Sequence, residues 1–248
     1  MIERKSQAEI DVMRRAGRVV AETLAVVREH VRPGVTTKEL DEIAEREIRA
    51  RGAIPSFKGY RGFPGSLCTS LNNEIVHGIP GGATIREGDL VKIDCGAIVD
   101  GFHGDSAVTL IVGEVPTDVA KLVETTERAL QAAIAEAKPG NRSGDIGAAV
   151  QTIAEGAGFS VVREYTGHGI GRSLHEDPPI PNHGRPGRGV PIEPGLVIAI
   201  EPMVNLGSHE TRLLGDGWTV VTADGSLSAH FEHTIAVTEE GPVVLTAA

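Results

Sequence analysis

The stretch IDCGAIVDGFHGD, residues 93–105, decides how this chain is read. Asp100-Gly101 is a two-residue turn signal that wants positive φ at both positions, and β-branched and apolar residues flank it. With that pair as the turn, Val99 faces Phe102 and Gly96 faces Asp105. Asp94 then lies diagonal to Asp105 on one face of a hairpin, where about 7 Å between Cβ atoms lets both carboxylates converge on one point. Like charges that close repel, so either a proton is shared or cations sit between them.

The rest of the composition narrows the choice. A chain of 248 residues can bury about three quarters of its unfolded surface, enough for one large domain or two small ones. Hydrophobic residues make up 40% but aromatic ones only 3%, which predicts an aliphatic core and makes each aromatic worth locating. The net charge of −10 argues against a surface built for nucleic-acid phosphates or anionic lipid. It favours ammonium-bearing peptides or metal ions as partners. Cys68 and Cys95 belong to no CxxC or Cys/His cluster, so neither a thiolate zinc site nor a disulfide framework is expected, and a reducing cytosol fits best. The N-terminal segment MIERKSQAEIDVMRR alternates charges, and apolar runs such as LVIAI at 196–200 are too short to span a bilayer. These features predict a cytoplasmic protein without a targeting segment.

The chain repeats its plan. Ser6 with Glu9 has the spacing of a capping box, followed by Ile10, Met13, Gly17, Val20, Leu24 and Val27 at helical intervals. After RPG at 32–34, Thr36 with Glu39 opens a second helix that stops near Gly52. The same layout returns 106 residues later, where KPG at 138–140 precedes a helix through Ile146, Val150 and Ile153 that ends near Gly156–Gly158. Downstream, DLVKID at 89–94 resembles LVIAIE at 196–201, which predicts Asp94 and Glu201 at matching strand ends. An α/β fold with an internal pseudo-twofold follows. With no low-complexity segment and no linker, residues 1–248 are expected to form a single domain with two related halves, roughly 1–110 and 111–248.

Three further residues complete a constellation. The segment VVREYTGHGIGRSLHEDP at 161–178 starts as a strand and then reads as a glycine-rich loop carrying His168 and His175. It lacks the spacing of a dinucleotide fingerprint. Glu201 closes an aliphatic strand. Glu232 lies in SAHFEHTIAV, where it alternates with apolar positions, a costly place for an unpaired carboxylate. Four carboxylates and one imidazole (Asp94, Asp105, His168, Glu201 and Glu232) suit divalent first-row metals, with carboxylates bridging two ions about 3.5 Å apart or slightly more. Such a pair would activate water and polarise a substrate oxygen, so hydrolysis is the natural reaction class.

NNEIVHGIP, IDCGAIVDGFHGDSA, REYTGHGIGRSLHEDP, IEPMV and SLSAHFEHT together resemble the type I methionine aminopeptidases of the pita-bread metallopeptidase fold, over nearly the whole chain. The resemblance implies an antiparallel-rich central sheet covered by helices. It implies removal of the N-terminal methionine from nascent polypeptides when the second residue is small, by hydroxide attack at two metals. It makes Asp94, Asp105, His168, Glu201 and Glu232 the metal ligands, with Mn, Fe, Co and Zn all compatible. Glu201 would also be the general acid/base, His175 would stabilise the tetrahedral intermediate, and His77 would support the substrate. The methionine pocket would comprise Tyr60, Phe63, Cys68, Leu174 and Trp218; Phe63 and Leu174 stand where the family pattern has Tyr and Phe. A monovalent cation would bind near Asn72 and Ser228.

Cys95 is expected on the opposite strand face, as a small buried hydrophobe. A monomer is expected, with no sequence-specific nucleic acid and no membrane among its partners. The rival readings are an X-Pro peptidase of the same fold and a metal-free pita-bread binding module. Asp94 comes too early for the extra N-terminal domain of the X-Pro enzymes, and only 32 residues separate His168 from Glu201, where a type II insertion would fall. A binding module should have substituted ligands, whereas all five stand here.

Overall fold

The Asp100-Gly101 dipeptide turns as its chemistry dictates, with φ of 48° and 80°. In this computed structural model, which describes residues 2–247, the two strands it joins pair in unbroken register from Val99↔Phe102 to Leu90↔Ile111. The first half of the chain runs α1 (Gln7–His30), α2 (Thr37–Ala50), β1 (Ile54–Pro55), β2 (Leu67–Leu71), β3 (Glu74–Val76), β4 (Leu90–Val99) and β5 (Phe102–Ile111). The second runs α3 (Thr117–Glu136), α4 (Ser143–Gly156), β6 (Ser160–Val161), β7 (Gly167–Gly169), β8 (Glu176–Ile180), β9 (Val197–Ile200) and β10 (Met203–Asn205). It ends with β11 (Thr211–Leu213), β12 (Val220–Thr222), β13 (Ser228–His230), β14 (Glu232–Thr238) and β15 (Gly241–Val244).

An antiparallel sheet crosses both halves in the order β1-β4-β5-β14-β9-β7-β8, with β2 also paired to β4 and β15 to β14. The pseudo-twofold is visible in that order. Reading outward from the β5–β14 seam, β5, β4 and β2 on one side answer β14, β9 and β7 on the other. A helix pair opens each half, and α2 and α4 begin at the repeat-related Thr37 and Ser143.

Period-two alternation assigns the sheet's faces. Val91, Ile93, Cys95 and Ala97 of β4 pack with Val20, Leu24, Leu40 and Ile48 from α1 and α2. Ile198, Ile200, Ile235 and Val237 pack with Leu122, Leu130, Ile146 and Val150 from α3 and α4. Each such fully buried Leu or Ile contributes about 1.5–3 kcal/mol. The alternate positions, Lys92, Asp94 and Gly96 in β4 and Glu232 and Thr234 in β14, therefore face away from the helices. Cys95, with no exposed surface, belongs to the helix-side core as expected.

At the seam, hydroxyls do what a longer ladder would do. β5 and β14 share only two paired positions, Glu232↔Ala107 and His233↔Ser106. Beyond them, the Thr234 hydroxyl donates to the Asp105 carbonyl at 2.8 Å and accepts from the Asp105 N–H at 3.0 Å. Ser106 Oγ donates to the Glu232 carbonyl at 2.6 Å, and Thr109 Oγ1 to that of His230 at 2.6 Å.

Two expectations are corrected. Asp94 is not at a strand end but in the middle of β4, whereas Glu201 follows the last residue of β9. His168 is not in a loop: β7 pairs with both β9 and β8. The glycines beside it serve close packing, since a Cβ at Gly167 would lie 2.3 Å from the Ala199 carbonyl oxygen and one at Gly169 2.1 Å from that of Asp177. A strand this tightly flanked has room for one side chain, that of His168.

Candidate metal centre

Strand register assembles the site. Cys68 pairs with Asp94, Asp94 with Ala107 and Ala107 with Glu232, a single row across β2, β4, β5 and β14. Strands stand about 4.8 Å apart, so the two acids flank the methyl group of Ala107 and the space above it stays open. Asp105 is two residues from Ala107 on the same face. The His233↔Ile200 pair brings Glu201 opposite Glu232, and His168 pairs with Ala199, two residues before Glu201.

One potential ligand atom each from Asp105, His168 and Glu232 lies within 4.8 Å of the others. Nε2 of His168 is 3.5 Å from Glu201 Oε1. Asp94 and Glu201 line the same cavity, of about 310 Å³. Asp94 Oδ1, Asp105 Oδ1 and Glu232 Oε1 are buried without a hydrogen-bond partner among the described residues. Carboxylate oxygens left unpaired in a protein interior are costly, and divalent cations satisfy them. The donor set, four carboxylates and one imidazole, fits such ions.

Electrostatics points the same way. Burial pushes the Asp94 carboxyl up to about 7. It also raises Asp105, Glu201 and Glu232 well above the carboxylate range, reinforced by the charges of neighbouring acids. A cation would reverse that balance. His168 is already prepared as a ligand: burial lowers it to about 3, and its Nδ1–H donates to the Gly169 carbonyl at 2.8 Å, leaving the Nε2 lone pair free.

Tyr60, Phe63, Cys68, Leu174 and Trp218 line the same cavity as the acids. Phe63 meets Trp218 edge-on at 5.1 Å, and Asp216 fixes the turn carrying Trp218 by accepting from the Trp218 and Thr219 N–H groups at 2.9 Å. Burial, and next to it the charge of Asp94, pushes the Cys68 thiol well up, so it stays protonated and apolar in character.

His77 and His175 face the same cavity. His77 is half-buried at φ 60°, a strained conformation for a non-glycine residue, and its ring stands edge-on to Tyr165 and Trp218. Burial lowers it to about 4. The Tyr60 hydroxyl is 2.9 Å from His175 Nδ1. Burial, with Arg61 second, lowers the His175 pKa, and the neighbouring Glu176 is anchored by Lys5 at 2.5 Å and by the Ser173 N–H at 3.0 Å.

Sequence reasoning missed four residues here. Phe57 and Arg61 line the cavity, and the Arg61 guanidinium lies over the Tyr60 ring. His230, two residues before Glu232, is buried, and its Nε2 has no hydrogen-bond partner among the described residues and is 3.7 Å from Glu201 Oε2; the spacing of two residues was its signal. The fourth is Lys92. Asn72 and Ser228 do converge, but on a protein ammonium: Lys92 Nζ donates to the Asn72 carbonyl at 2.7 Å and to the Ser228 carbonyl at 3.1 Å. The ammonium stands between the two oxygens, where its charge would repel a free monovalent ion. Burial lowers Lys92 to about 7, against the opposing pull of Glu74 and Asp89.

Comparison with known proteins places this geometry. Residues 11–239 match the model of metallopeptidase family M24. The chain is 55% identical over 246 residues to methionine aminopeptidase 1 of Bacillus subtilis and 53% identical over 246 residues to a methionine aminopeptidase of Clostridium perfringens, covering 99% of each chain in both cases. A methionine aminopeptidase from Thermotoga maritima superposes with a TM-score of 0.98 at 45% identity over the full length of both chains. The prolidase of Pyrococcus furiosus shares the fold alone, with a TM-score of 0.81 at 23% identity; it is matched over 99% of this chain and 65% of its own. The chain belongs to metallopeptidase family M24, and within it to the group of the methionine aminopeptidases.

Proposed function

We propose that this protein removes the N-terminal methionine from peptides and nascent chains whose second residue is small. The observation that carries this reading is the cavity itself, lined both by buried carboxylate oxygens without a hydrogen-bond partner among the described residues and by apolar aromatic, thiol and aliphatic groups. Asp94, Asp105, His168, Glu201 and Glu232 would hold two divalent ions, with Mn, Fe, Co and Zn all suited to the donor set. Ions bound there supply Lewis acidity, activating water and polarising the scissile carbonyl.

The chain's own groups do the rest. Glu201 accepts the proton of the attacking water and passes it to the leaving amine. With the Tyr60 hydroxyl donating to Nδ1, His175 carries its proton on Nε2 and offers it to the oxyanion as charge develops. His77 supports the substrate near the scissile bond. The wall formed by Tyr60, Phe63, Cys68, Leu174 and Trp218 accepts an unbranched thioether and leaves a charged side chain desolvated. In this reading the whole chain is one catalytic domain, monomeric and cytoplasmic, and it engages neither membrane nor nucleic acid; no helix among the described residues is long and apolar enough to cross a membrane.

A peptide panel analysed by mass spectrometry tests it. Met-Ala and Met-Gly peptides should lose methionine, Met-Lys peptides should lose little, and N-acetylated or N-formylated ones none, because a blocked amine cannot ligate a metal. Preferential cleavage of X-Pro peptides with X other than Met would overturn the specificity. No cleavage with metals bound would overturn the activity.

A further inference from the structure

Lys92 is among the largest fully buried side chains of the molecule, with 1% of its surface exposed. Lysine is almost never buried so completely without an anion beside it. Here the hydrogen-bond partners are two main-chain carbonyls, and no carboxylate among the described residues is within ion-pair distance. A neutral side chain of similar size would avoid the desolvation of a charge. The surroundings must therefore call for a cation.

They do so through the backbone. Asn72 has φ 52°, and its carbonyl points at the same spot as that of Ser228 on β13, 156 positions away in the chain. The Asn72 carbonyl also accepts from the Ser228 N–H at 3.1 Å, so one backbone bond already joins the two segments; the ammonium fills the remaining acceptor capacity, where the two carbonyl dipoles aimed at one point would otherwise repel. The Asn72 side chain secures that turn, donating to Asp89 Oδ1 at 2.9 Å and accepting from the Leu90 N–H at 3.0 Å. The ammonium thus joins the β2–β3 turn, β4 and β13, on the sheet face that carries Asp94 two residues further along.

We propose that Lys92 is a covalently attached substitute for a monovalent cation, holding the Asn72 and Ser228 carbonyls together and making this part of the sheet independent of dissolved Na⁺ or K⁺. Lys92 is then a positioning residue for β4, not a catalytic one. Shortening it should open a carbonyl-lined hole that a small ion can fill.

The test compares thermal midpoints in NaCl, KCl and N-methylglucamine chloride at equal ionic strength and pH. The wild-type protein should melt at the same temperature in all three. Lys92→Ser should melt at least about 4 °C lower in N-methylglucamine chloride, and Na⁺ or K⁺ should restore at least half of that loss in a saturable manner. Lys92→Met, which fills the hole without charge, should be destabilised equally in all three. Ion-selective stabilisation of the wild type would overturn the proposal, and so would rescue of the methionine variant. A serine variant that is indifferent to the ion, or unfolded in every salt, would also overturn it. The wild-type comparison stands whether or not either variant folds.

Discussion

The two halves of the central sheet bring acids to the same point by different means. The N-terminal half uses an unbroken hairpin of two ten-residue strands, so Asp94 and Asp105 are placed by pleat and register alone. The C-terminal half uses strands of three, four and seven residues. There His168, Glu201 and Glu232 depend on glycine close-packing, hydroxyl bridges and a strand that stops at Ile200. A regular ladder is robust but offers one direction per residue. Interrupted strands can aim an imidazole and two glutamates at one point, and they depend on contacts distant in sequence.

The largest expected effect tests whether the halves act together. Asp105→Ala alters only the N-terminal half, yet it should leave a folded protein with no measurable peptidase activity. The loss of metal affinity should exceed the about 10–100-fold typical of residues that merely support a ligand. Circular dichroism, metal analysis and peptide cleavage check this together; retained metal and activity would mean that the C-terminal half binds alone.

His175→Ala comes next, with kcat lowered by about two to four orders of magnitude and KM changed far less, because its contact is made as charge develops. Tyr60→Phe should lower kcat in the same direction by a smaller factor, since it removes the group that orients His175. Steady-state kinetics on a Met-Ala peptide separate the two parameters.

The pH dependence of metal affinity is smaller and has a definite sign. Asp94, at about 7, and the raised carboxyls of Asp105, Glu201 and Glu232 must release protons to ligate, whereas His168, at about 3, is already neutral and releases none. Affinity for Mn²⁺ should therefore rise as pH rises toward and through about 7, by about tenfold per unit for each proton displaced. Calorimetry in buffers of different ionisation enthalpy counts those protons. A pH-independent affinity would contradict the electrostatic account.

The smallest effects concern the contacts on which the C-terminal half relies. Gly169→Ala would force a methyl group against the Asp177 carbonyl and should cost about 1–3 kcal/mol or more. Thr234→Val leaves the Asp105 N–H and carbonyl without their hydroxyl partner and should cost about 1–3 kcal/mol. Denaturant melts of both variants measure these costs.

The same contrast explains what could be read in the sequence. The Asp100-Gly101 turn, the alternation around it and the capping boxes at Ser6 and Thr36 are local signals, and the structure follows them residue by residue. The GHG segment was misread because glycine's lack of a side chain means loop in most contexts, whereas at Gly167 and Gly169 it means neighbouring strands pressed close. Lys92 reads as an ordinary strand lysine with its head in water. Only the tertiary fold, which brings the Asn72 and Ser228 carbonyls to its ammonium, reveals otherwise.

The central claim is that carboxylates from both halves hold divalent ions that the hydrolysis requires. Exhaustive chelation followed by graded return of Mn²⁺, Fe²⁺, Co²⁺ or Zn²⁺, with bound metal and Met-Ala cleavage measured on the same samples, tests it most directly. The account predicts no cleavage after chelation and recovery in proportion to bound metal. Full activity in a rigorously metal-free preparation would contradict it.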